Sequence, residues 1–517
     1  MSIKKEDKTV KYNVTTYDSL STQMQNPGYD VGVSVEVNSV QLVVIGKIIE
    51  GFKEYFTKMD SMKQYLEASA KQGINEVVDI LKSSIHVDIL IHNPYIILPR
   101  NENNEFSKFE IDLGSIRLIL NTKDDNLFGD IKISEMNVKC ILDIDEKEEY
   151  LIEKTNADFN LSVIQEPSTI KIDGKIGKLI GTFNESQFNL LHHFLRENIC
   201  AESPIKNLNS IEIIETKDLI LNQVDLNILS ALINIKFDFI SLSVKKSQNP
   251  EKDIKSAQVD LLEVKVLDFT MLVASSKGSN DMIGLSLSDI TLYDKDCTRN
   301  TNKFKELLKS PIEKLENNKE DNYCGFPEHH NHNINISIMD NPNTDIVDIV
   351  IPQMRIFLIP DACLDIALFF ERLGLDFKED LKILKKKDTQ PQKETNIEMA
   401  LHCSKAEICF IEEPFNPDSR AFLLETMIRL DMIDHFNQTV DIMVHRLKAF
   451  KCKMIDCKLS DSNQEGLPIL QPVNMRVINQ KYRDELVNTK IHLERFFLTF
   501  SYQDYLLISS IALMWDR

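Results

Sequence analysis

Apolar residues return on every second position through most of the chain, and that period restricts what it can form. In "SIHVDILIHNPYIILPR", residues 84–100, Ile85, Val87, Ile89 and Ile91 fall on alternate positions, with His86, Asp88 and His92 between them. Successive side chains of a strand point to opposite faces, so this pattern predicts strands with one oily and one wet face. The alternation is present at Val31, Val33, Val35 and Val37, and in "KFEIDLGSIRLIL", where Phe109, Ile111 and Leu113 share a face. It continues through "ADFNLSVI", with Phe159 and Leu161. In "LINIKFDFISLSVKK", Ile233, Ile235, Phe237 and Phe239 share a side before the phase moves to Ile240, a slip that predicts a bulge. "NINISIM" (Ile336, Ile338), "TDIVDIVIPQMRIFLIP" (Ile349, Ile351), "NMRVI" (Met475, Val477) and "KIHL" (Ile491, Leu493) resume it. About twenty to twenty-five strands are expected from this pattern.

Helical periods are few. A helical pair is expected over about 46–81. Asn184 with Gln187 three residues on forms a capping-box signature for "NESQFNLLHHFLREN". Asp361 is expected to cap a short helix ending near Gly374, and Ser501 and Asp504 have capping-box spacing before a closing helix from about Tyr502. The expected organisation is a partial β module with the helical pair over 1–84 and β modules over 85–295. A low-complexity exposed loop follows over 296–333, then strands and a short helix over 334–374. A Lys-rich linker spans 375–396, and a last β module with its helix spans 397–517.

The net charge of −20 argues against a nucleic-acid partner, which needs a basic surface. Nine cysteines occur without a CxxC pair, which fits reduced cytosolic thiols. The start "MSIKKEDKTVKYN" has no apolar signal region, and no run approaches 18 apolar residues. No Gly-rich phosphate loop, GxSxG or HExxH occurs, so no enzyme activity and no cofactor are expected. Cys324, His329, His330 and His332 sit in an Asn-rich, period-free stretch that reads as a solvated loop rather than a zinc site. Lys385, Lys386 and Lys387 read as a solvated linker, and His192 and His193 as structural.

Three arrangements could cover so much apolar strand surface: a second sheet, helices, or a bound ligand. A sandwich is the ordinary answer. The helices account for too little of the surface. Only 15 Gly and 16 Pro serve 517 residues, and the chain has a single Trp, near its end. Long strands with smooth aliphatic faces therefore suit a surface wetted by acyl chains.

Specific stretches point the same way. "VNSVQLVVIGKIIEGFKEYF", then "SIHVDILIHNPYIILPR" with its Pro94–Pro99 element, then Asp112-Leu113-Gly114 resemble, in order, the vacuolar protein sorting-associated protein 13 (chorein) family. "SQFNLLHHFLRENI" is similar to its strand-to-helix junction. "PILQPVNMRVI" and "LERFFLTFSYQDYLLISSIAL", with Ser501-Tyr502-Gln503-Asp504, are similar to a later block. The matches run from about residue 33 to 515, and nothing at Met1 resembles the family's N-terminal segment. An interior stretch of a longer chain is expected.

The resemblance implies a mainly β fold: a long, twisted, open antiparallel sheet forming a hydrophobic groove, with short connecting helices. It implies bridge-like lipid transfer, in which glycerophospholipids move along the groove between organelle membranes at contact sites. The chain would then be cytoplasmic and peripheral, with adaptor proteins as further partners. The residues expected to line the groove are Val33, Val35, Ile85, Val87, Ile89, Ile91, Ile111, Leu113, Phe159, Leu161, Ile233, Ile235, Phe237, Phe239, Ile336, Ile338, Ile349, Ile351, Met475, Val477, Ile491 and Leu493. The competing expectation is a β-rich scaffold in vacuolar or endosomal sorting, binding adaptors through exposed strand edges without conducting lipid.

Overall fold

A computed structural model describes residues 2–6, 10–16, 29, 31–43, 85–101, 104–123, 126–142, 147–164, 169–194, 229–247, 258–276, 281–296, 303–311, 333–340, 344–369, 371, 396–434, 438–459, 468–481 and 487–515. The expected helical pair over 46–81, the Lys-rich linker up to residue 395 and the stretch Cys324–His332 lie outside the described residues. Within them the chain is mainly β and its strands form mixed sheet. It divides into two compact units, residues 1–238 with 274–277, and residues 239–273 with 278–517.

In the first unit, β1 (Ser2–Glu6), β2 (Val10–Thr16) and β3 (Val31–Val37) pair antiparallel in that order. β4 (Gln41–Val43) follows β3; β5 (Ile85–His92) and β6 (Tyr95–Asn101) lie parallel to β3 and β4 respectively. An antiparallel meander comes next. β7 (Asn104–Asp112) pairs with β6, β8 (Ser115–Lys123) with β5, and β9 (Asn126–Leu142) with both β7 and β8. β10 (Lys147–Ile164) and β11 (Thr169–Asn184) complete it. β12 (Leu229–Ser247) and β13 (Gln258–Ser276) contribute residues to both units.

The second unit repeats the scheme. β14 (Asp281–Leu287) and β15 (Asp289–Asp294) form one line; β15 pairs with β13 and with β16 (Glu306–Ser310). β17 (Ile334–Asp340) pairs with β14 and with β18 (Thr344–Ile351), and β19 (Met354–Leu358) pairs with β16. β20 (Asn396–Ile411) runs parallel to both β18 and β19. β21 (Arg420–Asp434), β22 (Gln438–Ile455), the short β23 (Lys458–Leu459), β24 (Leu470–Lys481) and β25 (Val487–Leu493) continue antiparallel.

Three expectations are corrected here. The sheet is mixed rather than antiparallel, because two long excursions, 44–84 and 359–395, each return the chain to run parallel to the strand it left; a parallel joint needs a crossover of about a dozen residues or more. The stretch 296–333 is not all exposed loop. It holds β16, and Phe304 and Leu307 are buried because they anchor the core of the second unit. The helix expected to start behind Asp361 begins two residues earlier, at Pro360, where the missing N–H and fixed φ of proline suit a first helical position.

A line of irregular backbone crosses each unit. Asn93, Gly114 and Glu135 have left-handed φ values of 46°, 59° and 64°. The Asn93 N–H donates to the Gly114 carbonyl (2.6 Å), the Leu113 N–H to the Pro94 carbonyl (3.0 Å), and the Glu135 N–H to Asn156 Oδ1 (2.8 Å). A Cβ on Gly114 would stand 2.0 Å from the Ser134 carbonyl oxygen, so only glycine fits. In the second unit, Asp268 and Arg446 have φ of 49° and 52°. Register shifts there fall between Cys403 and Ala406, Glu425 and Met427, and Val444 and Leu447. In the first unit the irregularities slip the apolar alternation by one: Ile89 and Ile91 give way to Ile96 and Leu98, Ile131 and Ile133 to Val138 and Cys140.

This crease divides the long strands into two arms. One arm carries an ordinary core. In the first unit Phe109, Cys140 and Leu151 are covered by Leu190 of α1 (Glu185–His193), whose capping box Asn184–Gln187 forms as expected. In the second, Cys409, Leu423, Phe450 and Met454 pack with Phe304, Phe357 and Ala362, the last from α2 (360–369). Lys246 tethers α2 by bridging Asp365 (2.8 Å) and the buried Asp296 (2.6 Å).

α3 (Tyr502–Trp515) closes the described chain. Ser501 Oγ donates to Asp504 Oδ2 (2.6 Å), and the Asp504 N–H donates back to Ser501 Oγ (3.2 Å). Burial by itself would raise the Asp504 carboxyl, but hydrogen bonds from Ser501 and the nearby Lys451 ammonium hold it below its ordinary value. A carboxyl depressed in the folded state stabilises above its unfolded pKa, about 3.9, and that contribution is lost as pH falls through the lower folded value. Asp504→Asn should therefore reduce stability at pH 7 by about 0.5–2 kcal/mol, the range typical of a helix cap, and so lower the melting temperature. Fluorescence of Trp515, the only tryptophan, reports the helix. The deficit should shrink toward pH 3; an equal deficit at pH 3 and pH 7 would rule out the charge as its source.

Candidate functional site

The other arm of each unit is where the expected groove residues gather. Cross-strand partners share a face, so the register reads out whole rows. In the first unit one row runs Val35–Ile89–Leu118–Ile131–Phe159–Gly174. The next runs Val33–Val87–Leu120–Gly129–Leu161–Ile172, and a third Val37–Ile91–Ile116–Ile133–Ala157–Ile176. The Phe159 ring lies across Gly174, where a Cβ would meet it at 2.5 Å, and Ile235 borders the same glycine. The row is therefore filled level by its neighbours. Ile85 heads the same face of β5, and Ile233 and Phe237 fall on the Ile235 side of β12 by strand period.

The second unit has equivalent rows. Leu285–Ile336–Ile349–Leu401–Leu430–Ile442–Val477–Ile491 is one. Ile283–Ile338–Val347–Met399–Met432–Val440 lies on one side of it, and Ile351–Cys403–Ile428–Val444–Met475–Leu493 on the other. Phe239 belongs to this unit's portion of β12.

Two expected residues lie elsewhere. Ile111 pairs with Ile96 and Val138 on the buried arm, and Leu113 sits at the crease itself. The crease accounts for this: β7 ends at Asp112, before the left-handed Gly114, so Ile111 stays on the buried arm with Phe109, and the rows begin on the far side at Ile116. Conversely, Leu118, Leu120, Ile131, Leu401, Leu430 and Ile442 belong to the rows and were legible from the same alternation.

Away from the crease, where the row residues Ala157, Ile176 and Cys403 are buried, exposure differs between the arms. On β21, Leu423 of the buried arm is 2 % exposed, whereas Leu430, seven residues on, is half-buried. Val33, Val35, Val87, Ile89, Phe159, Leu161, Ile336, Ile349 and Val477 are all half-buried likewise. Flanking strands shield such side chains laterally, and a packed second layer would take them to the few per cent seen on the buried arm. The opposite face carries polar ladders. Arg117 forks onto Asp88 (2.9 and 3.1 Å), Lys171 meets Asp173 (3.0 Å), and Arg476 meets Asp441 (3.0 Å).

No reactive constellation accompanies these rows among the described residues. Burial pushes the thiols of Cys140 to about 12 and of Cys403 and Cys452 to about 11, and raises that of Cys409, so all stay protonated near neutrality. The buried Glu407 would be raised by burial, but Arg355 (2.7 Å) and Lys405 (2.7 Å) hold it below its ordinary value, which makes it a structural ion cluster. No group of side chains suited to a metal occurs among the described residues, and no described helix is long and apolar enough to cross a membrane. Compared with known proteins, the chain matches no protein-family model and no curated sequence.

Proposed function

We propose that the half-buried arm is a lipid-binding surface and that the chain moves glycerophospholipids in bulk along it, between organelle membranes at contact sites. The observation that carries this reading is a contrast within single strands: Cys140 on β9 and Leu423 on β21 are sealed by protein, whereas Ile131 and Leu430 on the other arm of the same strands are half-buried. On β3 the apolar span from Val31 to Val37 covers six residue steps, about 20 Å at the rise of a strand. One leaflet's hydrocarbon is about 15 Å thick, so an acyl chain fits across the rows.

Taking a tail of about sixteen carbons into water costs on the order of 12 kcal/mol at ~0.8 kcal/mol per methylene. Rows of Ile, Val, Leu and Phe replace bilayer contacts with contacts of similar strength, which lowers that barrier without creating a deep well. No reacting group is required. The in-order resemblance to the chorein family supports the same reading. The Asp112-Leu113-Gly114 motif that carries much of it makes the crease: Asp112 Oδ1 accepts from the Gly114 N–H at 2.8 Å. Lipid extraction and mass spectrometry on the purified chain should recover several phospholipids per molecule. Recovery of essentially none would overturn the reading.

A further inference from the structure

One bulge in each unit is closed by the same kind of side chain. Between the pairs Ile133–Ala157 and Met136–Thr155, Ser134 and Glu135 of β9 stand against the single Asn156 of β10. The Glu135 N–H donates to Asn156 Oδ1 (2.8 Å). Between the pairs Val444–Met475 and Leu447–Val473, His445 and Arg446 of β22 stand against the single Asn474 of β24. The Arg446 N–H donates to Asn474 Oδ1 (2.9 Å). Glu135 and Arg446 are both left-handed, with φ of 64° and 52°. Two bulges far apart in the chain thus have the same count, the same backbone twist and the same acceptor.

A bulge leaves its extra residue outside the ladder, and a slip of one residue sends a strand's whole apolar set to the other face. Something must therefore fix which residue is the extra one. Where the crease passes between β5 and β6 the main chain does so, through the Asn93 N–H and the Gly114 carbonyl (2.6 Å). In the two long strands a side chain does so instead. Glu135, Asn156 and Arg446 are exposed, so burial does not hold these bulges in place. The pairs that adjoin them, Ile133–Ala157 and Val444–Met475, belong to the apolar rows. We infer that Asn156 and Asn474 are positioning residues of the lipid surface: each pins a bulge and so holds the adjoining rows in register. The inference rests on the lipid reading above and adds two residues outside the rows on which transfer depends.

The test uses the full chain. Asn156→Leu with Asn474→Leu removes both acceptors and should slow transfer between phosphatidylcholine liposomes about tenfold, a factor of about three for each lost hydrogen bond. Amide exchange at Glu135, Arg446, Ile133 and Val444 should speed up, while that at Cys140 and Leu423 on the buried arms stays as in the parent. Asn156→Asp keeps an Oδ1 acceptor and should rescue what Asn156→Leu alone loses. Transfer at the parental rate in the double variant would overturn the inference, as would an Asn156→Asp chain as slow as Asn156→Leu. Exchange that also rises at Cys140 and Leu423 would overturn it too, because the asparagines would then support the fold as a whole. Each of these outcomes leaves the lipid reading standing, whereas a parent chain that yields no phospholipid on extraction removes that reading itself.

Discussion

Val87→Asp with Ile89→Asp should abolish lipid transfer while leaving the fold intact. Both residues are half-buried in the middle of β5, between Val33 and Val35 on one side and Leu120 and Leu118 on the other. Two carboxylates placed there face whatever covers the rows. If that is hydrocarbon, each costs about 2.5–3.5 kcal/mol, so passage of a tail is opposed by on the order of 5 kcal/mol. A fall in transfer between liposomes of at least a hundredfold is expected, each tenfold corresponding to about 1.4 kcal/mol. Ser34→Asp, on the opposite face of β3 beside Asp88, is the matched control and should transfer as the parent does. Transfer that survives the double substitution in a folded protein would remove the lipid reading.

The second large effect concerns stability and tests the same contrast without lipid. Leu423→Ala should destabilise the second unit by about 3–4 kcal/mol, the cost of a cavity in a core that cannot collapse. It packs with Cys409, Phe450 and Met454, all nearly inaccessible. Leu430→Ala, on the same strand, should cost only about 1 kcal/mol, because its side chain has partly exposed surroundings and leaves no sealed void. Urea unfolding of the two variants measures this. Equal losses would mean that the Leu430 row is covered by protein after all.

Much of the architecture is written locally. The period of two identifies the strands and assigns faces within each arm: Val33 and Val35 share a face of β3, as Ile349 and Ile351 share one of β18, although which residues they meet across the sheet depends on register. The capping pairs Asn184–Gln187 and Ser501–Asp504 are equally local, each a side chain reaching a backbone group three residues away. Ile111 and Leu113 show where such counting stops. A single left-handed residue resets the phase, and its effect depends on the neighbouring strand that receives its hydrogen bonds.

Sequence alone therefore determined the strand content, the existence of one oily face per arm and the chemistry of that face. Tertiary structure alone decided three things: which arm is sealed, that the sheet is mixed, and that the crease lies at one level across many strands. The physical reason is range. Side-chain alternation and caps act within a few residues, whereas burial depends on what arrives from far along the chain. Phe304 and Ala362 reach the Cys409–Leu423 arm over more than forty residues of intervening sequence, and no local pattern specifies which face they will cover.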